Sequence, residues 1–185
     1  MTYYGAKELA ESFRTVRKNT LQVAEDIPED KYTFKPASDV RTVEKLLTHI
    51  ALANRFQYQI HAVDKRSTLD GFDFLPLFQE MTAEEAKPRT KAEVIALLRS
   101  EGEKWANFVV GLSEEVLGQT IAMPPGGSPP QRTRFDMIMS VKEHEMHHRG
   151  QLMLIERIIG VVPHLTRQMQ ERMAQVQAQQ AQTKP

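Results

Sequence analysis

The stretch "TRFDMIMSVKEHEMHHRGQLMLIERIIG", residues 133–160, decides how this chain folds. Met137, Ile138 and Val141 open an apolar stripe, and Leu152, Ile155, Ile159 and Val162 continue it at helical spacing. Thr133, with Asp136 three residues on, has the form of a capping-box start. Gly160 and Pro163 stop the helix. Steps of three and four from Val141 reach His144, His148 and Gln151 before Ile155. Two imidazoles thus stand on the core-facing side, one turn apart, where Leu or Ile would be the default.

Working outward, three more segments carry a helical stripe. Residues 6–26 align Leu9, Phe13, Val16 and Val23, with Ile27 beyond, and Pro28 breaks the run. Residues 43–63 align Val43, Leu46, Ile50, Ala53 and Ile60, with Thr42 as N-cap and Glu44 in the first turn. Residues 91–112 align Val94, Leu98, Trp105, Phe108 and Leu112. Between them, residues 65–89 read as a long connection with room for a short helix, and "AMPPGGSPPQR" (122–132) reads as an irregular loop. No period-2 run persists, so no strands are expected. The prediction is all-α: a four-helix bundle domain over residues 1–163 with long connections. A Gln-rich tail over 164–185 is expected as an exposed helix or a disordered end.

Composition narrows the function. The chain has 185 residues, 41% hydrophobic and 26% charged, which suits one domain with a real core. Its 24 basic and 24 acidic residues balance, and no basic block stands out, which argues against nucleic acid. The start, "MTYYGAKELAESFRTV", has acidic residues and no apolar h-region, and the apolar runs are too short to span a bilayer, so a cytoplasmic protein without membrane contact is expected. With no cysteine, disulfides, thiolate ligands and a cysteine nucleophile are excluded.

Two histidines at i and i+4 can converge on one metal ion with N–metal distances of about 2.0–2.1 Å. Neutral core imidazoles without partners would carry a desolvation cost that a metal relieves through their lone pairs. His49, in "VEKLLTHIALA", sits near the core stripe of the second segment and is the candidate third ligand. A bundle that sets the second and fourth helices side by side would unite His49, His144 and His148, with a fourth position open for water or substrate. Taken alone, His49 reads more readily as a hydrogen-bonded core histidine than as a ligand. His147 lies about 100° off that face and is expected exposed, supporting a ligand or at a subunit contact. Gln151 is a candidate partner for a ligand or a bound water. Glu101 interrupts its stripe as a supporting carboxylate or, more simply, an ion pair at the core edge. His61 and His164 are expected on the surface, and Gly150 suggests close approach of another helix.

"HEMHH", residues 144–148, also satisfies H-E-x-x-H, with Glu145 in the place of a peptidase's general base. The longer metzincin pattern fails, and a further glutamate ligand could only be Glu156 or Glu171. A di-iron carboxylate bundle fails too, because Glu145 with His148 supplies only one of two required E-x-x-H pairs.

"RTVEKLLTHIA" around His49, and "HEMHHRGQL" with its H-x-x-x-H-R-G-Q pattern, resemble the DinB/YfiT-like family over the body of the chain. The resemblance implies a four-helix bundle, often a homodimer. It also implies a divalent ion, most commonly zinc or nickel, held by His49, His144 and His148. Characterised relatives include transferases that use a low-molecular-weight thiol cosubstrate. A metal-dependent transferase acting on a small electrophile is therefore the expected function. The alternatives are a metal-dependent hydrolase and a non-catalytic protein whose metal only staples the bundle. With no cysteine in the chain, the thiol would come from outside.

Overall fold

A computed structural model of the chain describes residues 4–182. Four long elements form the bundle: α1 (Ala6–Asp26), α2 (Val43–Leu52, prolonged by α3, Asn54–Tyr58), α5 (Lys91–Val110) and α7 (Arg134–Ile158). α4 (Leu75–Ala86) lies in the long connection, and α6 (Glu114–Gly118) precedes α7. α8 (His164–Gln182) follows it as an exposed helix. Caps fix the starts. Thr42 accepts from the Lys45 N–H at 3.2 Å, and Thr133 accepts from the Asp136 N–H at 3.1 Å.

α1 packs against α5 and α7, and α2 packs against the same two. Two apolar clusters set their directions. One joins Val23 and Ala24 of α1, Leu46 and Ile50 of α2, Leu98 of α5 and Leu152 of α7. The other joins Leu9 and Phe13 of α1, Trp105 and Val109 of α5, and Ile138 and Val141 of α7. α1 and α7 therefore run parallel, and α5 runs against both. α2 runs alongside α5, since Leu46 lies with Leu98 while Tyr58 further on packs edge-on against Phe108 at 5.4 Å. α2 is thus antiparallel to α7, and their middles meet. This up-down-down-up order explains the longest connection, because α2 and α5 run the same way and the chain between them must return along the bundle.

Several expectations are corrected. The path over 43–63 is helical but not one regular helix: it turns at Ala53 and ends in a π-helical turn, Gln59–Val63. The Arg17 guanidinium reaches the Ile50 carbonyl at 3.4 Å beside that irregularity, and a side chain inserted at the ladder is a common cause of such a distortion. A small antiparallel hairpin, β1 (Thr120–Ala122) with β2 (Gln131–Thr133), brackets the Pro/Gly loop. Three-residue strands with only Ile121 buried are too short to leave a period-2 signal.

His61 is buried, not superficial. Its Nδ1 accepts from Arg134 at 2.9 Å and its Nε2 bonds the Gln57 amide oxygen at 2.9 Å. Burial, then the Arg134 charge, hold it neutral, down to about 4. His164 is buried as well, against Asn19 of α1, where it anchors the start of α8. Arg134 of α7 covers the one and Asn19 of α1 the other, each a contact between residues distant in sequence. Gly150 faces open space, with no neighbour within 4 Å of where a Cβ would stand, so no helix approaches it. Among the described residues, no helix is long and apolar enough to cross a membrane.

Candidate metal centre

The antiparallel contact of α2 and α7 brings His49 beside His144 and His148. One nitrogen from each ring lies within 4.8 Å of the others. The Nε2 of His144 stands 3.3 Å from that of His49 and 3.1 Å from that of His148. Two ligands about 2.0–2.1 Å from a tetrahedral ion would be about 3.3–3.4 Å apart. The spacing is that of ligands around one ion.

The far side of two rings is held. His49 Nδ1 lies 3.0 Å from a Glu85 carboxylate oxygen, and His148 Nδ1 lies 2.8 Å from the Gln151 amide oxygen. Both partners accept, so both Nδ1 atoms carry the proton and both Nε2 atoms present lone pairs. His144 Nε2 can donate to only one of them. At least one lone-pair approach remains uncompensated, and a cation is what the donor set fits. Supporting acceptors on ring N–H groups are the usual accompaniment of metal-ligating histidines.

The rings are also in the right protonation state. Burial, followed by the neighbouring histidines, pushes His144 down to about 4. Burial, then the Arg41 charge, lowers His49 against the opposing pull of Glu85. Burial lowers His148 too. Neutral imidazole is the form that binds metal.

Glu85 is the residue that sequence reading missed. It belongs to α4, which packs on α2, and it also pairs with Arg41. No spacing within "QEMTAEEA" distinguishes Glu85 from Glu84, because only the docking of α4 selects it. Gln151 bridges His148 to the exposed His147, 3.2 Å away. Glu101 is not among them, since its carboxylate is held by Arg55 at the core edge. Glu145 is turned from the cluster into the bundle centre. There its carboxylate takes two arms of Arg17 at 2.9–3.1 Å, so it is no general base.

The remaining donors of Arg17 reach the Leu98 carbonyl at 2.6 Å and the Ile50 carbonyl, so one guanidinium ties together all four bundle helices. Gly102 makes the room: a Cβ there would stand 3.0 Å from the Arg17 Cγ.

A helical bundle with three converging histidines, a carboxylate behind one and an amide behind another defines a class of candidate metalloproteins. The chain belongs to the DinB superfamily, whose sequence model matches residues 12–152. Among curated proteins it is similar to the uncharacterized protein YjoA of Bacillus subtilis, 25% identical over 158 residues that cover 84% of this chain and 91% of YjoA. The crystal structure of that DinB-like protein superposes with a TM-score of 0.61 at 24% identity, covering 83% of this chain and 92% of its own. YfiT of B. subtilis, described as a probable metal-dependent hydrolase with an unusual four-helix bundle topology, superposes with a TM-score of 0.63. Its identity is 13%, with 87% of this chain and 91% of YfiT covered, so the likeness is one of fold.

Proposed function

We propose that this protein is a metal-dependent enzyme in which His49, His144 and His148 hold one divalent ion, zinc or nickel. The observation that carries the reading is the convergence of three Nε2 atoms while Glu85 and Gln151 occupy the opposite ring nitrogens of His49 and His148. Three protein ligands leave a position free for exchange, whereas structural zinc sites are usually closed by four. When bound, the ion would polarise a substrate group and lower the pKa of a small nucleophile. The chain's own part is positional. Glu85 orients His49, Gln151 orients His148, and burial keeps the rings neutral.

Two nucleophiles suit such a centre. With water the enzyme is a hydrolase, a reading supported by the description of YfiT and one that asks nothing further of the site. With a low-molecular-weight thiol it is a transferase acting on a small electrophile, the reading that the family resemblance favours. A homodimer is proposed alongside, on the family resemblance and on the exposure of Met146 on α7.

Elemental analysis of untagged protein, beside His49→Ala and His148→Ala, tests the centre. About one ion per chain, lost in both variants, is the expected result. A wild type that takes up neither zinc nor nickel would overturn it. Ester cleavage that needs the ion but no thiol selects the hydrolase; turnover of an electrophile only with added thiol selects the transferase.

A further inference from the structure

Three cavities border the histidine cluster, and they differ in chemistry. The largest, about 610 Å³, shares His148 and Glu85 with the cluster. Two smaller ones, about 340 and 260 Å³, touch His49 and share Phe78 and Met81. A volume near 600 Å³ lies within the range of small-molecule sites, about 300–1,000 Å³.

The lining of the large cavity follows one side of α7. From His148 the side passes through Gln151 to Leu154 and Ile155 and on to Ile158, about 15 Å along the helix. Leu46 and Ile155 are buried in its floor, while Leu154 and Ile158 remain 60% and 55% exposed on its rim. Two aliphatic side chains left this open one turn apart, beside a buried aliphatic floor, give the cavity an apolar rim. Of the charged residues in the lining, Arg41 and Glu85 are paired with each other and Asp39 is acidic, so the walls carry no excess positive charge to hold an anionic body. The cavity therefore offers a polar end at the histidines and an aliphatic trough leading away from it.

We propose that this cavity binds an amphiphilic small molecule: a metal-binding polar head at the histidine cluster and an aliphatic body of several carbons along Leu46, Leu154, Ile155 and Ile158. The assignment rests on the metal reading above and adds the substrate class to it.

A series of straight-chain hydroxamates, from acetohydroxamate to octanohydroxamate, titrated calorimetrically into the zinc-loaded full chain, tests it. The head group binds the ion whatever the tail, so chain length reports the trough. Affinity should rise about fourfold per added methylene over the buried part of the chain. Leu154→Glu and Ile158→Glu, at exposed positions that folding tolerates, should flatten the series while leaving zinc content and acetohydroxamate binding unchanged. Phe78→Glu, 66% exposed beside the smaller cavities, should leave the slope intact.

A flat series in the wild type, with acetohydroxamate still binding, overturns the cavity assignment alone. A slope lost in Phe78→Glu and kept in Leu154→Glu overturns it in favour of the other cavities. If sedimentation shows Leu154→Glu splitting a dimer with the slope unchanged, the rim belongs to a second copy and the proposal falls. A protein that takes up no zinc overturns the metal reading itself, and this one with it.

Discussion

His144 and Glu145 are neighbours in the chain, both project from α7 towards the interior, and they do opposite things. Glu145, 1% exposed, finds in Arg17 a partner of opposite charge, and Arg17 in turn spends its spare donors on carbonyls of α2 and α5. Everything in that node is answered by protein. His144 instead faces two other ring nitrogens at 3.1 and 3.3 Å, and no arrangement of protons satisfies all three. A saturated buried polar group holds a fold together. A convergent unsaturated set is arranged for something that arrives.

The largest effect that could break this contrast is at the node. Glu145→Ala would leave Arg17 charged and unpaired in the core, and chemical denaturation should register a loss of about 3–5 kcal/mol. Replacing both partners together, Arg17→Met with Glu145→Leu, should recover most of it, since an apolar pair of similar volume is often neutral. If the single and the double variant were equally destabilised, the pair would be more than a structural tie.

Glu156 sharpens the contrast from a third side. It is fully buried, and neither carboxylate oxygen has a hydrogen-bond partner among the described residues. Burial, then the Asp26 charge, raise it from an ordinary value near 4.5 to about 7. The raised value means that the folded state holds the proton more tightly than the unfolded chain does. The stabilisation is full below about pH 4.5 and is lost as pH rises to about 7. Glu156→Gln should abolish that dependence and raise stability at pH 8 by about 1–3 kcal/mol. Denaturation at pH 5 and pH 8 checks it, and a variant with the wild-type pH profile would refute the assignment.

At the histidine cluster, Glu85→Ala should weaken zinc binding by about 10–100-fold, or about 1.4–2.8 kcal/mol, because His49 loses the acceptor that fixes its tautomer. Competition with a chromogenic chelator measures this, and unchanged affinity would remove Glu85 from the site. The smallest effect is expected at Gly150, exposed in mid-helix with nothing near its Cβ position. Gly150→Ala should stabilise by about 0.5–1 kcal/mol, read as a rise in Tm, without changing metal content.

The sequence by itself determined the four stripes, their caps at Thr42 and Thr133, and the choice of His144 and His148, because helical period and the i, i+4 relation are local facts of the chain. His49 was legible as an imidazole where an aliphatic residue belonged. Only the tertiary structure decided the rest. It made α2 and α7 neighbours, docked Glu85 of α4 behind His49, and turned Glu145 to Arg17 instead of to the cluster. It also buried His61 and His164, both expected on the surface. Each of these depends on a contact between residues distant in sequence. The energy of such a contact comes from desolvating both partners at once, and no local pattern records it.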